Sequence, residues 1–284
     1  MNTNGCWGRA AWYVSALLWI LNAPPTMAAR PEAEVAAQPV ELVRTAVANE
    51  LQSLKGMDRF TWLDRVQKPS GSVTKKMVEA SEGLIARTIA LNDKPLTPEQ
   101  RRREDERLKL LLDSDHMREK ARRQRDDRQR LERLFQVLPD ALTYQYSASE
   151  KTASGHRIVK LEFQPNPRFT PPSYDTQLYR GMQGQVWIDT TVMRIVRLDG
   201  TLFKDVTFGL GIVGRLDKGG HILLEQEEVT KGHWDVTRMQ LTINGRILLF
   251  KQLHIDMVET IWGFRPVPAM SVQQAIELLH NSER

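Results

Sequence analysis

From Gly184 to Trp262 the chain reads as a meander of antiparallel strands, and this stretch limits the possible folds more than any other. Strand-like segments at Gly184–Ile188 and Met193–Leu198 run into Asp199-Gly200, a dipeptide suited to the left-handed backbone of a hairpin turn. Asp217-Lys-Gly-Gly220 precedes Ile222–Val229, and Lys231-Gly232 precedes Trp234–Ile243. Asn244-Gly245, the strongest short hairpin signal in the chain, leads into Arg246–Trp262. Strands and turns at such regular intervals predict a curved antiparallel sheet or an incomplete barrel. A curved sheet has a concave face that something must fill.

Upstream, Pro39 opens a helical pattern in which Val40, Val43, Val47, Leu51 and Leu54 form one apolar stripe. The open face of the sheet is the natural place for that stripe. Phe60–Val66 alternates as a strand with Phe60, Trp62 and Val66 on one face, and Val73–Ser81 with Gly83–Leu91 gives a further strand pair. Thr97, Pro98 and Gln100 have capping-box spacing at the head of a very charged helix. Two readings compete for this segment. It is a basic arm for an acidic partner, or a solvated helix whose arginines are paired with interleaved Asp and Glu; the interleaving favours the second. Apolar residues return only at its ends. The helix therefore either docks at both ends and bridges solvent, or breaks near Asp113-Ser-Asp115. Pro139 is expected to stop it.

Leu142–Ser147 and Arg157–Phe163 form a hairpin around Ser154-Gly155, and a proline-rich loop separates them from the meander. Gly209–Gly214 reads as a sharp bend or bulge. Ser271 and Gln274 cap a last helix with Val272, Ala275, Ile276 and Leu279 on its apolar face.

The N-terminus has the layout of a secretory signal peptide: Arg9, the apolar run Ala10–Leu21, then small residues, with cleavage expected near Ala28 or Ala29. The competing reading is an uncleaved anchor. The only cysteine, Cys6, would leave with the signal, so no disulfide or thiolate site is expected in the mature chain. The net charge is +5, and removal of Arg9 with residues 1–28 leaves +4, too small for a nucleic-acid partner to be expected.

The strand sequences Gly184-Gln-Val-Trp-Ile-Asp189, Arg194-Ile-Val-Arg-Leu-Asp-Gly200 and Gly232-His-Trp-Asp235 resemble those of the bacterial outer-membrane lipoprotein-sorting superfamily. That superfamily includes the periplasmic lipoprotein carrier, its outer-membrane receptor and the sensor domain of a sigma-factor regulator. The likeness covers about Leu142–Trp262, and more weakly Phe60–Leu91. It implies an incomplete barrel wrapped over helices and holding an acyl chain. The charged segment at 97–138 departs from the short carriers, and no functional residue of theirs maps onto this chain.

The six histidines, His116, His156, His221, His233, His254 and His280, show no metal-ligand spacing, and no nucleophile or phosphate-loop motif is present. No catalytic residue, metal or cofactor is expected. What remains is an apolar strand face whose candidate ligand-contacting residues are Trp62, Phe163, Trp187, Met239, Leu241 and Phe250. These side chains either fill an ordinary core or line a cavity.

The expected fold class is therefore mainly β with helices (α+β). Residues 1–28 are read as a signal peptide and 29–38 as a mobile linker. Residues 39–284 are read as a single half-barrel domain interrupted at 97–138. The expected function is an exported, periplasmic, non-enzymatic binder or carrier of lipid or acylated protein, with transient membrane-surface contact. The alternative is an envelope sensor or interaction module that meets a protein partner through the charged helix.

Overall fold

The computed structural model of the chain describes residues 38–56, 59–209, 213–247 and 251–281. The signal-peptide reading, all of the linker reading but Gln38, and candidate residue Phe250 fall outside these residues.

Helix α1 (Pro39–Ser53) begins with proline in its first turn and buries Val43, Ala46, Val47 and Glu50, a spacing of one helical face. Strands β1 (Arg59–Lys68), β2 (Gly71–Ala80) and β3 (Gly83–Leu91) follow as antiparallel neighbours, closed by the short β4 (Lys94–Pro95). The charged segment then forms α2 (Pro98–Lys109), a 3-10 turn at Leu110–Leu112, and α3 (Ser114–Ala141). Thr97 and Gln100 make the full capping box of α2, and the Asp113 carboxylate caps α3 by accepting from the Asp115 and His116 amides. The expected break near Asp113 is thus present. Pro139 does not stop the helix, which continues to Ala141. A proline this close to the C-terminus removes one backbone bond in the last turn and leaves the rest of the ladder intact.

Strands β5 (Leu142–Lys151), β6 (Arg157–Pro165), β7 (Met182–Asp189), β8 (Arg194–Leu202), β11 (His221–Thr230), β12 (His233–Ile247) and β13 (Lys251–Val267) complete the main sheet. Its order is β4-β3-β2-β1-β13-β12-β11-β8-β7-β6-β5, so it is open, with β4 and β5 at its ends. A small hairpin, β9 (Val206–Phe208) and β10 (Gly214–Leu216), adds to β12. The segment expected to be a bulge at Gly209–Gly214 joins the two strands of this hairpin. Helix α4 (Val272–Asn281) ends the described chain and buries the four residues expected of it.

Two turn expectations fail. Asp199-Gly200 lies inside β8 and Asn244-Gly245 inside β12. In both, glycine serves close packing: a Cβ on Gly245 would stand 2.3 Å from the Arg215 carbonyl oxygen. Gly200 pairs with Gly184, whose own Cβ would stand 2.1 Å from the Asp199 oxygen. The turn between β7 and β8 is made around Met193, which takes a positive φ of 53°.

Strand register sorts the side chains into two faces, because paired residues point to the same side. One face carries Leu161, Phe163, Val186, Leu198, Ile222, Leu224, Met239, Leu241, Met257, Val66 and Trp62. Helix α1 and the C-terminal half of α3 pack on it, forming the main core with Val43, Val47, Leu134 and Leu138. On the opposite face of β2 and β3, Val78 and Ile85 meet Leu108, Leu111, Met117 and the apolar side of α4. The α2–α3 unit thus passes from one face of the sheet to the other around its β3 edge.

That passage explains the charge of the segment. The outer edge of β3 would otherwise expose unpaired backbone groups. Gln124 closes one end of it, donating to the Leu84 carbonyl (3.1 Å) and accepting from the Leu84 amide (3.1 Å). Arg107 donates to the Ala86 carbonyl (2.5 Å), and Glu104 accepts from the Thr88 amide (2.6 Å). Polar side chains take the place of a neighbouring strand. Among the described residues no helix is long and apolar enough to cross a membrane.

Candidate functional site

A cleft of about 660 Å³ opens where α1, α3 and the sheet fail to close on one another. Its apolar lining is Leu131, Phe135, Ile195, Leu198, Leu224 and Val236, with Glu50, Gln226 and Asp235 among them. Its rim is charged and mixed in sign, drawing Arg59, Glu79 and Glu82 from β1, β2 and the β2–β3 turn, and Arg125, Arg128 and Glu132 from α3. The volume is that of a small-molecule or single-chain lipid site.

Two anchors hold its helical wall. At the end of α1, Asn49 donates to the Met193 carbonyl (2.9 Å), while Arg194 donates to the Asn49 carbonyl (2.9 Å) and pairs with Glu50 at 3.4 Å. Glu50 also accepts from the Ile195 amide (3.2 Å). Burial pushes the Glu50 carboxyl above its usual range, and Arg194 with the Ile195 amide only partly offsets this. On the other side, Arg128 of α3 donates to the Leu54 carbonyl at the end of α1 (3.0 Å), tying the two helices together.

Beside the cleft, on the same face of the sheet, lies a pair of acids that ordinary core packing does not account for. Asp64 of β1 stands opposite Ile261 of β13, and Glu259 stands opposite Val66, which makes the two carboxyls diagonal neighbours on one face. Asp64 is only 5 % exposed, and its Oδ1 has no hydrogen-bond partner. Loss of solvent, opposed by Lys75 and the contact with Glu259, raises the Asp64 carboxyl to about 6. Loss of solvent and the nearby Asp64 charge raise Glu259 to about 8. Two carboxyls this close cannot both ionise cheaply, so each opposes the other's loss of a proton. Asp235, which lines the cleft, adds its negative charge to the field at Glu259.

The residues chosen from sequence scatter. Phe163, Met239 and Leu241 are buried together in the main core under the helices. Trp62 belongs to a second cluster on the same face, stacked on Phe264 at 5.7 Å. Trp187 points to the other face, between Lys160 (5.0 Å) and Arg197 (5.1 Å). None of these five lines the cleft. They fill space because large residues at regular strand alternation are the first to be covered. Trp234, also recognisable as a strand aromatic, does line the cleft. The acids were missed, although an Asp between Trp62 and Val66, and a Glu between Met257 and Ile261, each break an otherwise apolar alternation.

The histidines are tied into local contacts. His156 Nδ1 lies 2.5 Å from Asp189, His221 Nε2 lies 2.8 Å from Asp199, and His254 Nδ1 lies 2.6 Å from Asn244. His280 Nε2 lies 3.0 Å from Asp105, which also pairs with buried Arg87 at 3.0 Å. His233 stacks on Phe60 at 4.0 Å, and His116 sits 3.5 Å from Asp113. Among the described residues no three His, Cys, Asp or Glu side chains are grouped to hold a metal ion.

The fold and cleft define a class: an open antiparallel sheet whose inner face is covered by helices that leave a lined opening. No known family and no curated protein matches the chain. Among solved structures, the chain is similar to a DUF1329 family protein from Desulfovibrio piger, with 13% identity and a TM-score of 0.33. That likeness covers 83% of this chain and 96% of the other.

Proposed function

We propose that the protein is an exported, non-enzymatic binder or carrier of lipid or lipoprotein acyl chains, and that the helix-walled cleft is where the chain lies. The observation behind this reading is the cleft itself, whose lining brings together Leu131, Phe135, Ile195, Leu198, Leu224 and Val236 among charged residues of both signs. A dozen methylenes buried at about 0.8 kcal/mol each contribute on the order of 10 kcal/mol before ordering costs, enough for useful affinity without polar recognition. Native mass spectrometry of the exported protein, followed by organic extraction, tests it. A stoichiometric lipid or acylated peptide is expected. A bare protein that also ignores a fluorescent long-chain probe refutes it. Leu224→Trp, which fills the inner wall, should abolish probe uptake, whereas Trp187→Ala on the opposite face should leave it unchanged.

The alternative, a partner-binding arm at 97–138, has less behind it. The exposed surface of α2 and α3 neutralises itself through pairs such as Arg103 with Glu99, Arg118 with Asp115 and Arg123 with Glu119. Its inward side chains are occupied on β3.

A further inference from the structure

A cleft for an apolar chain gains nothing from carboxyls placed beside it. Apolar alternation asks for Val or Ile at both positions, and the diagonal placement of Asp64 and Glu259 puts two like charges together. Asp64 Oδ1 is buried with no hydrogen-bond partner, and the pull of Lys75 and the contact with Glu259 only partly offset the loss of solvent there. Lys75 of β2 acts on both acids, and no ion pair between it and either of them is present among the described residues. The pair therefore adds no salt bridge to the core.

We propose that the Asp64–Glu259 pair couples occupancy of the cleft to protonation, so that an acyl chain is held while the pair keeps its proton and released when the pair ionises. The inference rests on the acyl-binding reading and assigns a regulator to the same site. The physical chain is short. Asp235 faces the cleft and acts on both Glu259 and Glu50; Glu50 in turn anchors α1 through Arg194. A chain in the cleft strips water from Asp235 and from the neighbouring floor, which disfavours any further negative charge at Glu259. By linkage, ionising Glu259 disfavours the chain by the same factor. The titration ranges of the two acids, about 6 and about 8, set the window.

The charged and titratable groups facing the pair are Lys75 from β2, Asp235 from β12, and, through Asp235, Glu50 of α1 with Arg194 of β8. His233, whose Nε2 is 3.6 Å from Asp235, also lines the cleft. A pH slope in the wild type alone is therefore insufficient, and the comparison with variants carries the test.

The experiment is binding of an uncharged pyrene-labelled dodecanol between pH 5.5 and 8.5, a probe with no titration of its own. One linked proton weakens binding by up to tenfold per pH unit. The expected result is a wild-type Kd that rises at least fivefold across the range, with Glu259→Gln and Asp64→Asn each holding within about twofold. A flat wild-type profile, or the same slope in both variants, overturns the proton coupling and leaves the carrier reading standing. No probe binding at any pH overturns both. Should the variants fail to fold, the wild-type urea midpoint decides. A folded state that holds the extra proton loses stability from about pH 5 to 8, and a midpoint that stays flat or rises there overturns the inference.

Discussion

Glu104→Ala tests whether the charged helices serve as an edge cover for the sheet. The Glu104 carboxylate is 8 % exposed. It accepts the Thr88 amide at 2.6 Å and both the Nε and Nη2 of Arg107 at 2.7 Å. Truncation leaves the Thr88 N–H at a covered edge without an acceptor, a cost of about 1–3 kcal/mol. It also removes the counter-charge of Arg107. Breaking a fully buried pair costs about 3–5 kcal/mol, but the Arg107 side chain is 33 % exposed and keeps the Ala86 carbonyl, so only a fraction applies. The sum is about 3 kcal/mol, which in a chain of this size lowers Tm by about 6–12 °C. Urea unfolding followed by tryptophan fluorescence measures it. Glu99→Ala is the control, because its pairing with Arg103 is exposed on both sides and exposed pairs contribute at most about 1 kcal/mol. Glu104→Gln keeps an acceptor for Thr88 and should fall between the two. If Glu104→Ala costs less than about 1 kcal/mol, or no more than Glu99→Ala, the edge-cover argument is refuted.

Arg194→Ala should cost about 3 kcal/mol at pH 8, because it leaves the Glu50 carboxylate buried without its cation. The penalty belongs mostly to the charged form of a carboxyl already raised by burial, so it should shrink as pH falls to 5 and, when Glu50→Gln is added, fall to the cost of the lost bond to the Asn49 carbonyl; urea midpoints of the single and double variants read it. Gly245→Ala should cost about 2 kcal/mol, since its Cβ meets the Arg215 backbone oxygen at 2.3 Å. Gly200→Ala should cost less, because the nearest atom to its Cβ is the movable end of Met182. Thr97→Ala removes the cap of α2 and should lower stability by about 1 kcal/mol without changing probe binding, as measured by thermal unfolding and probe titration of the same sample.

Local patterns carried far in this chain where the local signal and the tertiary demand agree. Alternation in β12 puts Met239, Leu241 and Ile243 in the core, as read from sequence, and the apolar spacings of α1 and α4 name their buried faces. The capping boxes at Thr97 and Ser271 also locate two helix starts. Where a residue has two physical uses, sequence alone chose the commoner one. Glycine after Asn or Asp favours a turn, yet Gly200 and Gly245 serve close approach between strands, and that need exists only once β7 and β10 have arrived. The charge of α2 and α3 was read correctly as self-paired on the outside. That its inner Glu104, Arg107 and Gln124 replace a missing strand depends on the helices turning around β3, which no local spacing encodes.

The site divides along the same line. Large apolar residues identify the core, because burial is what alternation reports, and so four of the five described candidates mark the core while none marks the opening. An opening arises where packing stops short, here between the α1–α3 wall and β8, β11 and β12. Its position depends on anchors distant in sequence, Arg194 to Glu50 and Arg128 to Leu54. The residues most telling about use are those that break the apolar rule. Asp64 and Glu259 each occupy an apolar slot, and only strand pairing shows that the two exceptions are neighbours. One acid on an apolar strand face is a solvation cost that selection can tolerate. Two acids side by side, with one oxygen unpartnered, form an arrangement whose ionisation is held back by burial and by each other's charge.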